Sequence, residues 1–169
     1  MDGLEVLVLV GSPRPHGRSA RFAAQLVEEL SAQGHRVKAW QVQGKAIAGC
    51  VGCERCREGY SCVIRDDMSQ VYASLETCDV LHVVVAVYFS GVPSQFKAVL
   101  DRLQPLWEMR CGPNSRRDPS EHKRPYVLHV IGEGGDPFGF EPLRTEVKSA
   151  LGAAGLYEAG VEDLVGQDL

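Results

Sequence analysis

LEVLVLVGSPRPHGRS, residues 4–19, is the stretch on which the fold turns. Leu4–Val10 is a β-branched, almost wholly apolar run that stops at Gly11, the pattern of a strand buried on both faces of a parallel sheet. After the loop, Phe22, Ala23, Leu26, Val27 and Leu30 recur at helical spacing until Gly34 ends the pattern. A strand, a glycine-bearing loop and a helix therefore follow one another. At such a junction, free backbone N–H groups and the positive end of the helix dipole favour an anion. Ser12 and Ser19 add hydroxyls, Arg14 and Arg18 add charge, and together they make a cradle for a dianionic phosphate. A nucleotide-hydrolysing P-loop does not fit, because five residues separate Gly11 from Gly17 and Arg18 stands in the place of the lysine. The dinucleotide fingerprint GxGxxG is absent here too. Serine, proline and glycine also build ordinary strand-to-helix turns, so a purely structural loop stays open at this point.

Working outward, His35–Val42 alternates as a second strand, and Asp66 or Asp67 reads as the N-cap of a helix running to about Glu76. Asp79–Val87 is the most emphatic strand, and Pro93 opens a helix carrying Phe96, Val99, Leu100 and Leu103 on one side. Met109–Arg124, polar and rich in basic residues, reads as a long mobile loop. Tyr126–Ile131 is a fourth strand, residues 132–139 a second glycine-rich loop, Glu141–Ala154 a helix with Pro142 in its first turn, and Leu156–Val161 a short edge strand. Alternating strands and helices require crossover connections and a mostly parallel sheet with helices on both faces. The expectation is one α/β domain over residues 1–169, a flavodoxin-like three-layer sandwich with a five-stranded parallel sheet in the order 2-1-3-4-5, and a cysteine-rich insertion at about 46–65. Ligands bind such a sheet at the carboxyl ends of its strands, near the switch between strands 1 and 3, which singles out loops 11–19, 87–93 and 132–139.

At the end of the third strand, an aromatic side chain offers a flat surface, while Ser90 and Gly91 expose peptide groups to a heterocycle. Tyr88 and Phe89 as plain core residues are the alternative. Gly132, Gly134 and Gly135 permit close backbone approach from the other side. GSPRPHGRS and residues 86–102, AVYFSGVPSQFKAVLDR, resemble the phosphate loop and the following tyrosine-loop segment of the NADPH-dependent FMN reductase family and the related iron–sulfur flavoproteins. The resemblance implies a flavodoxin-like FMN binder, with the phosphate at Ser12, Arg14, Gly17, Arg18 and Ser19. It places the isoalloxazine against Ala86, Val87, Tyr88, Phe89, Ser90 and Gly91, Ala86 standing where a proline is common.

CVGCERCREGYSC, residues 50–62, sets Cys50, Cys53, Cys56 and Cys62 at the spacing C-x2-C-x2-C-x5-C. The first three match the run with which bacterial ferredoxins hold three corners of a cubane cluster. With the VIRDDM that follows, the cysteines resemble the compact motif of iron–sulfur flavoproteins, which implies a [4Fe–4S] cluster. Zinc, a disulfide, and thiols retained without a cluster are the rivals; zinc usually takes two knuckles separated by a longer loop. Gly52, Gly59 and the charges of Glu54, Arg55, Arg57 and Glu58 suit an exposed loop, and Cys78 and Cys111 read as free thiols.

The formal charge of −4 supplies no basic field, which argues against nucleic acid as a partner. The longest apolar run, Leu81–Phe89, spans nine residues against the roughly 20 that cross a bilayer, so no membrane contact is expected. The amino terminus has no basic leader, which points to the cytoplasm, where structural disulfides are rare. There is no HExxH, no GxSxG and no catalytic residue to nominate; His16, His35, His82, His122 and His129 are scattered surface or strand residues, with His16 placed to assist a phosphate. The expected function is an FMN-dependent oxidoreductase moving electrons from NAD(P)H or ferredoxin to a small-molecule acceptor through the cluster. The alternatives are a flavin reductase with FMN alone, a non-enzymatic carrier, or a zinc-stabilised binding module. The resemblance further implies a homodimer or homotetramer.

Overall fold

The computed structural model describes residues 3–115, 118 and 123–169. Its elements run β1 (Glu5–Val10), α1 (Arg18–Ala32), β2 (Arg36–Gln41), α2 (Cys56–Gly59), α3 (Met68–Thr77), β3 (Val80–Ala86), α4 (Ser94–Asp101), α5 (Gln104–Cys111), β4 (Arg124–Gly132), α6 (Glu141–Ala153) and β5 (Leu156–Val165). All the strand pairs are parallel, in the order β2-β1-β3-β4-β5. The flavodoxin-like α/β sandwich expected from the sequence is the fold observed.

Alternation along each strand divides the core. Val8, Val10, Val84 and Ile131 face α1, where Ala23, Phe22, Leu26 and Val27 pack on them. Leu7, Leu9, Val83, Val85, Leu128 and Val130 face the other side, against Met68, Val71 and Leu75 of α3, Phe96, Val99 and Leu100 of α4, and Leu143, Val147 and Leu151 of α6. Burial on both faces is why these strands carry no polar alternation. Among the described residues α1 is the one helix on its face.

Three boundaries differ from the expectation. The chain turns at Arg102–Leu103 and begins a second helix, α5, so Met109–Cys111 are helical and the expected long loop starts later. Pro105 in the first turn of α5 is the signal for that restart. Arg124 already belongs to β4, and of the loop between them residues 116–117 and 119–122, His122 included, lie outside the described residues, as does the expected mobility of that part. β5 runs on to Val165 because a bulge at Ala159 shifts its register against β4 and returns Val161 and Val165 to the core side. Finally, neither aspartate caps α3 from the N-cap position: Asp67 occupies it, but the N–H of Met68 is taken by Asp66 Oδ1 at 3.1 Å. No helix among the described residues is long and apolar enough to cross a membrane.

Candidate functional site

At the carboxyl end of β1, Gly11 donates to Val84 O at 2.8 Å and lies under the Phe96 ring, where a Cβ would stand 2.7 Å from Cγ. Glycine is required by that approach. The loop then delivers Ser12 and Ser19, each 3% exposed, to the mouth of the sheet. Gly17 is the N-cap of α1 in extended backbone, and among the described residues the start of the helix has no side-chain cap. An uncapped, partly enclosed helix start is an anion site by its own electrostatics. Arg14 is exposed beside it, and Gln41 Nε2 donates to Arg14 O at 3.3 Å, tying the loop to β2. Arg18 does more than its sequence position indicates: it donates to Gly132 O at 3.1 Å and to Gln167 O, and stands 3.5 Å from the Glu133 carboxylate. It thereby ties the loop between β1 and α1 to the end of β4. His16 is exposed.

A cavity of about 130 Å³ brings Ser12, Arg14, Gly17, Arg18 and Ser19 together with Ala86, Val87, Tyr88 and Gly132. A second, of about 240 Å³, is lined by Val87, Phe89, Gly132, Gly134 and Gly135. Val87, Gly132 and Glu133 border both, so the two form one mouth. Gly134 and Gly135 have φ of +88° and +85°, backbone that favours glycine. Ser90 and Gly91, also nominated from the sequence, line neither cavity and instead build the turn behind it. Tyr88 and Gly91 exchange N–H···O bonds at 2.9 and 3.0 Å, with Phe89 and Ser90 at φ +50° and +61° between them. That two-residue hairpin geometry normally calls for Asn-Gly. Ser90 Oγ donates to Gly139 O at 2.7 Å and Ser90 O accepts from Leu143 N at 2.9 Å, which anchors the turn to the start of α6. Phe89 is fully exposed and Tyr88 is 40% exposed, so neither is a core residue.

The four cysteines of the 50–62 stretch also share one cavity, of about 380 Å³, with Arg57, Arg102 and Glu108 on its wall. Cys50 and Cys53 are exposed, Cys56 and Cys62 half-buried, and none is in a disulfide. Burial, and next the Glu108 carboxylate, push the Cys56 thiol upward in pKa. Cys56 opens the single turn α2, and Gly52, Glu54 and Tyr60 all adopt positive φ, so the loop bends sharply around its thiols. Among the described residues, no three metal-ligating side chains stand together as a formed metal site. What is formed is the base of the loop. Arg102, 1% exposed, donates from Nη1 to Ala48 O and Asp66 Oδ2, both at 2.9 Å, and from Nη2 to Ile64 O and Asp66 Oδ1, both at 3.2 Å. Asp66 also accepts from Ala48 N at 3.0 Å, and Asp67 Oδ2 from Ala46 N at 2.8 Å. Burial opposes the Asp66 charge, yet the hydrogen bonds from Arg102, Ala48 and Met68 outweigh it and hold the carboxyl below its ordinary range. Sequence reading nominated the cysteines and missed this clamp. Its signal was the DR pair at 101–102, at the end of α4, and the DD pair at 66–67, just before α3, charges placed at element ends.

A second group escaped the sequence reading. His82 Nδ1 lies 2.9 Å from His129 Nε2, and His129 Nδ1 lies 2.8 Å from Glu162 Oε2, a polar chain across β3, β4 and β5 on the α1 face. Phe22 of α1 packs against His129, ring centroids 5.1 Å apart.

Residues 4–139 match the family described as NADPH-dependent FMN reductase. Among curated proteins, the chain is 29% identical over 103 residues to an iron-sulfur flavoprotein of Methanocaldococcus jannaschii, covering 61% of this chain and 53% of that protein. It is 32% identical over 102 residues to an iron-sulfur flavoprotein of Archaeoglobus fulgidus, covering 60% and 51%. The chain thus spans about half the length of these curated relatives. Among solved structures it superposes on an NAD(P)H:quinone oxidoreductase from Methanothermobacter marburgensis with a TM-score of 0.71 at 16% identity, covering 97% of this chain and 84% of that one. A flavodoxin variant from Pseudomonas aeruginosa gives 0.61 at 15%, covering 98% and 87%, a likeness of fold alone. With four-fifths of its residues under that one family description, and its two glycine loops at the mouth of the sheet, the chain belongs to the NADPH-dependent FMN reductase family.

Proposed function

We propose that this chain is an FMN-dependent oxidoreductase that moves electrons from NAD(P)H or ferredoxin to a small-molecule acceptor. The observation that carries the reading is the mouth at the carboxyl ends of β1, β3 and β4, lined by the phosphate loop on one side and by 86–89 and 132–135 on the other. Its residues suit the cofactor. The uncapped start of α1 and the hydroxyls of Ser12 and Ser19 bind the dianionic phosphate, with Arg14 adding charge at the rim. Val87 and Tyr88 border the ring, and Gly132, Gly134 and Gly135 let the backbone approach it without a side chain between. When bound, FMN supplies hydride acceptance and release of electrons one at a time. The protein's part is to hold, orient and shield it.

The cysteine cavity fits a thiolate-bound cluster by its donor set: four free thiols lining one cavity, two of them exposed, on a loop whose base is fixed. Cys50, Cys53, Cys56 and Cys62 would hold a [4Fe–4S] centre there, as the names of the curated relatives support. Helix α4, eight residues and so about 12 Å long, joins the flavin loop at its start to Arg102 just past its end. A second reading keeps FMN and omits the cluster, making a flavin reductase or an electron carrier; the thiols' lack of convergence favours it.

Purification under strict exclusion of oxygen, followed by a visible spectrum and by flavin, iron and zinc assays, tests both. Flavin with iron and sulfide, the iron lost and the flavin retained in Cys53→Ser, is the expected result. Flavin without iron selects the second reading, and a colourless protein that takes up no added FMN overturns the proposal. Oxidation of NADPH with excess FMN or quinone then separates an enzyme from a carrier.

A further inference from the structure

The guanidinium of Arg102 carries five N–H donors, of which four are engaged by Ala48, Ile64 and Asp66. The fifth, on Nε, is buried and has no acceptor among the described residues. A buried donor without a partner carries an uncompensated loss of water, and native proteins rarely keep one without a reason. Arg102 lies on the wall of the cysteine cavity, which Cys50, Cys53, Cys56 and Cys62 also line. The other cation on that wall, Arg57, is half-exposed and already paired with Glu54 and Glu108. Arg102 is thus the one fully buried cation among the cavity's lining residues.

We propose that Arg102 has a second role beyond clamping the loop: it raises the reduction potential of a cluster held by the four cysteines, through its buried charge and its unused Nε–H. Reduction adds one electron to such a centre, making and breaking no bond and leaving it one unit more negative. A nearby donor and cation stabilise that reduced form more than the oxidised one. This inference rests on the cluster reading above.

Potentiometric titration with dithionite, monitored by electron paramagnetic resonance, tests it on three anaerobically prepared proteins. Arg102→Lys keeps a positive charge and loses Nε–H; its reduced-to-oxidised ratio at a fixed poise falls about tenfold, a shift of about 59 mV downward. Asp66→Asn keeps Arg102 and removes its counterion; its ratio rises. If Arg102 only held the loop, both variants would loosen it and move the potential in the same direction, and that result overturns the proposal. So does an unmoved potential in Arg102→Lys, or loss of iron from both variants. An iron-free parent protein removes the cluster reading itself, whereas an iron-loaded parent with an unmoved Arg102→Lys removes only the role of Arg102. The FMN potential, read in the same titration, stays where it was.

Discussion

The flavin mouth and the cysteine loop sit at the two ends of one helix and are built in opposite ways. The mouth is an outcome of sheet register: β1, β3 and β4 end side by side, and each loop leaves its strand with a glycine or a paired turn fixing its course. Its geometry precedes any ligand. The cysteine loop has no strand within it, and its tip is exposed at Cys50, Val51 and Cys53. Its base is fixed by the Arg102–Asp66 pair and by the bonds between Asp67 and Ala46, and its one helical turn is tied to α5 by Arg57 and Glu108 at 3.1 Å, which leaves Cys50–Cys53 as the exposed part. One site is preorganised by the fold, and the other is tied down at its base and its helical turn while its first two cysteines stay exposed.

Breaking the hinge is the strongest test of that contrast. Asp66→Ala leaves Arg102 buried without its counterion, and loss of one partner of a buried pair costs about 3–5 kcal/mol. Urea unfolding should register that loss, and limited proteolysis should find new cleavage between residues 48 and 64, while FMN affinity of the still-folded protein changes less than about threefold. Equal damage to FMN binding would mean that the two regions are one unit.

The next largest effect runs from the mouth side. Gly11→Ala drives a methyl into the Phe96 ring, where overpacking costs about 1–3 kcal/mol. Because Phe96 belongs to α4, the strain has a route to Arg102. Phe96→Leu in the same background should recover most of the stability. FMN titration of both proteins, alongside the proteolysis pattern, shows whether the disturbance stays at the phosphate loop or travels along α4.

How legible each region was follows from the same contrast. Buried strands and helices announce themselves by period, so β1, β3, β4 and the order of the sheet were readable, and with them which loops meet at the mouth, though not that Ser90 and Gly91 turn behind it. Restarts within a helical run are harder: α4 and α5 are separated by a turn at Arg102–Leu103 with no glycine to mark it. The β5 bulge falls at Ala159, a residue with no turn character. Long-range polar pairs are the least visible of all. Asp66 and Arg102 are 36 positions apart, and His82 and His129 are 47 apart, each meeting only because the sheet order brings their elements together.

The histidine chain supplies a pH test of the mouth. Burial first, and the neighbouring His129 next, hold His82 down to about 4, and burial lowers His129 against the opposing pull of Glu162. In the unfolded chain both titrate near the ordinary value of about 6.5. Between those values the unfolded chain binds more protons, so their contribution is complete above pH 6.5 and declines as pH falls toward 4. Allowing for the partial exposure of His82, the loss is on the order of 1–2 kcal/mol. Urea midpoints at pH 7.5, 6 and 4.5 should show it, with a shallower decline in His82→Phe. Since the chain crosses β3, β4 and β5 beneath the mouth, FMN affinity should weaken in the same window while the cleavage pattern of the cysteine loop stays unchanged.

The smallest effect sits at the rim of the mouth, where stability and binding are opposed. Phe89 is fully exposed, yet it occupies left-handed backbone at φ +50° beside Ser90 at +61°. Glycine relieves that conformation and removes no buried surface, so Phe89→Gly should stabilise the FMN-free protein by about 0.5–1 kcal/mol. Loss of an aromatic face beside the flavin costs about 0.5–1.5 kcal/mol of binding, an affinity about three- to tenfold weaker by calorimetry. A gain in stability with a loss in affinity identifies the turn as strain retained for the ligand. A loss in both would mean that the ring is covered in solution by something other than the described residues, none of which covers it.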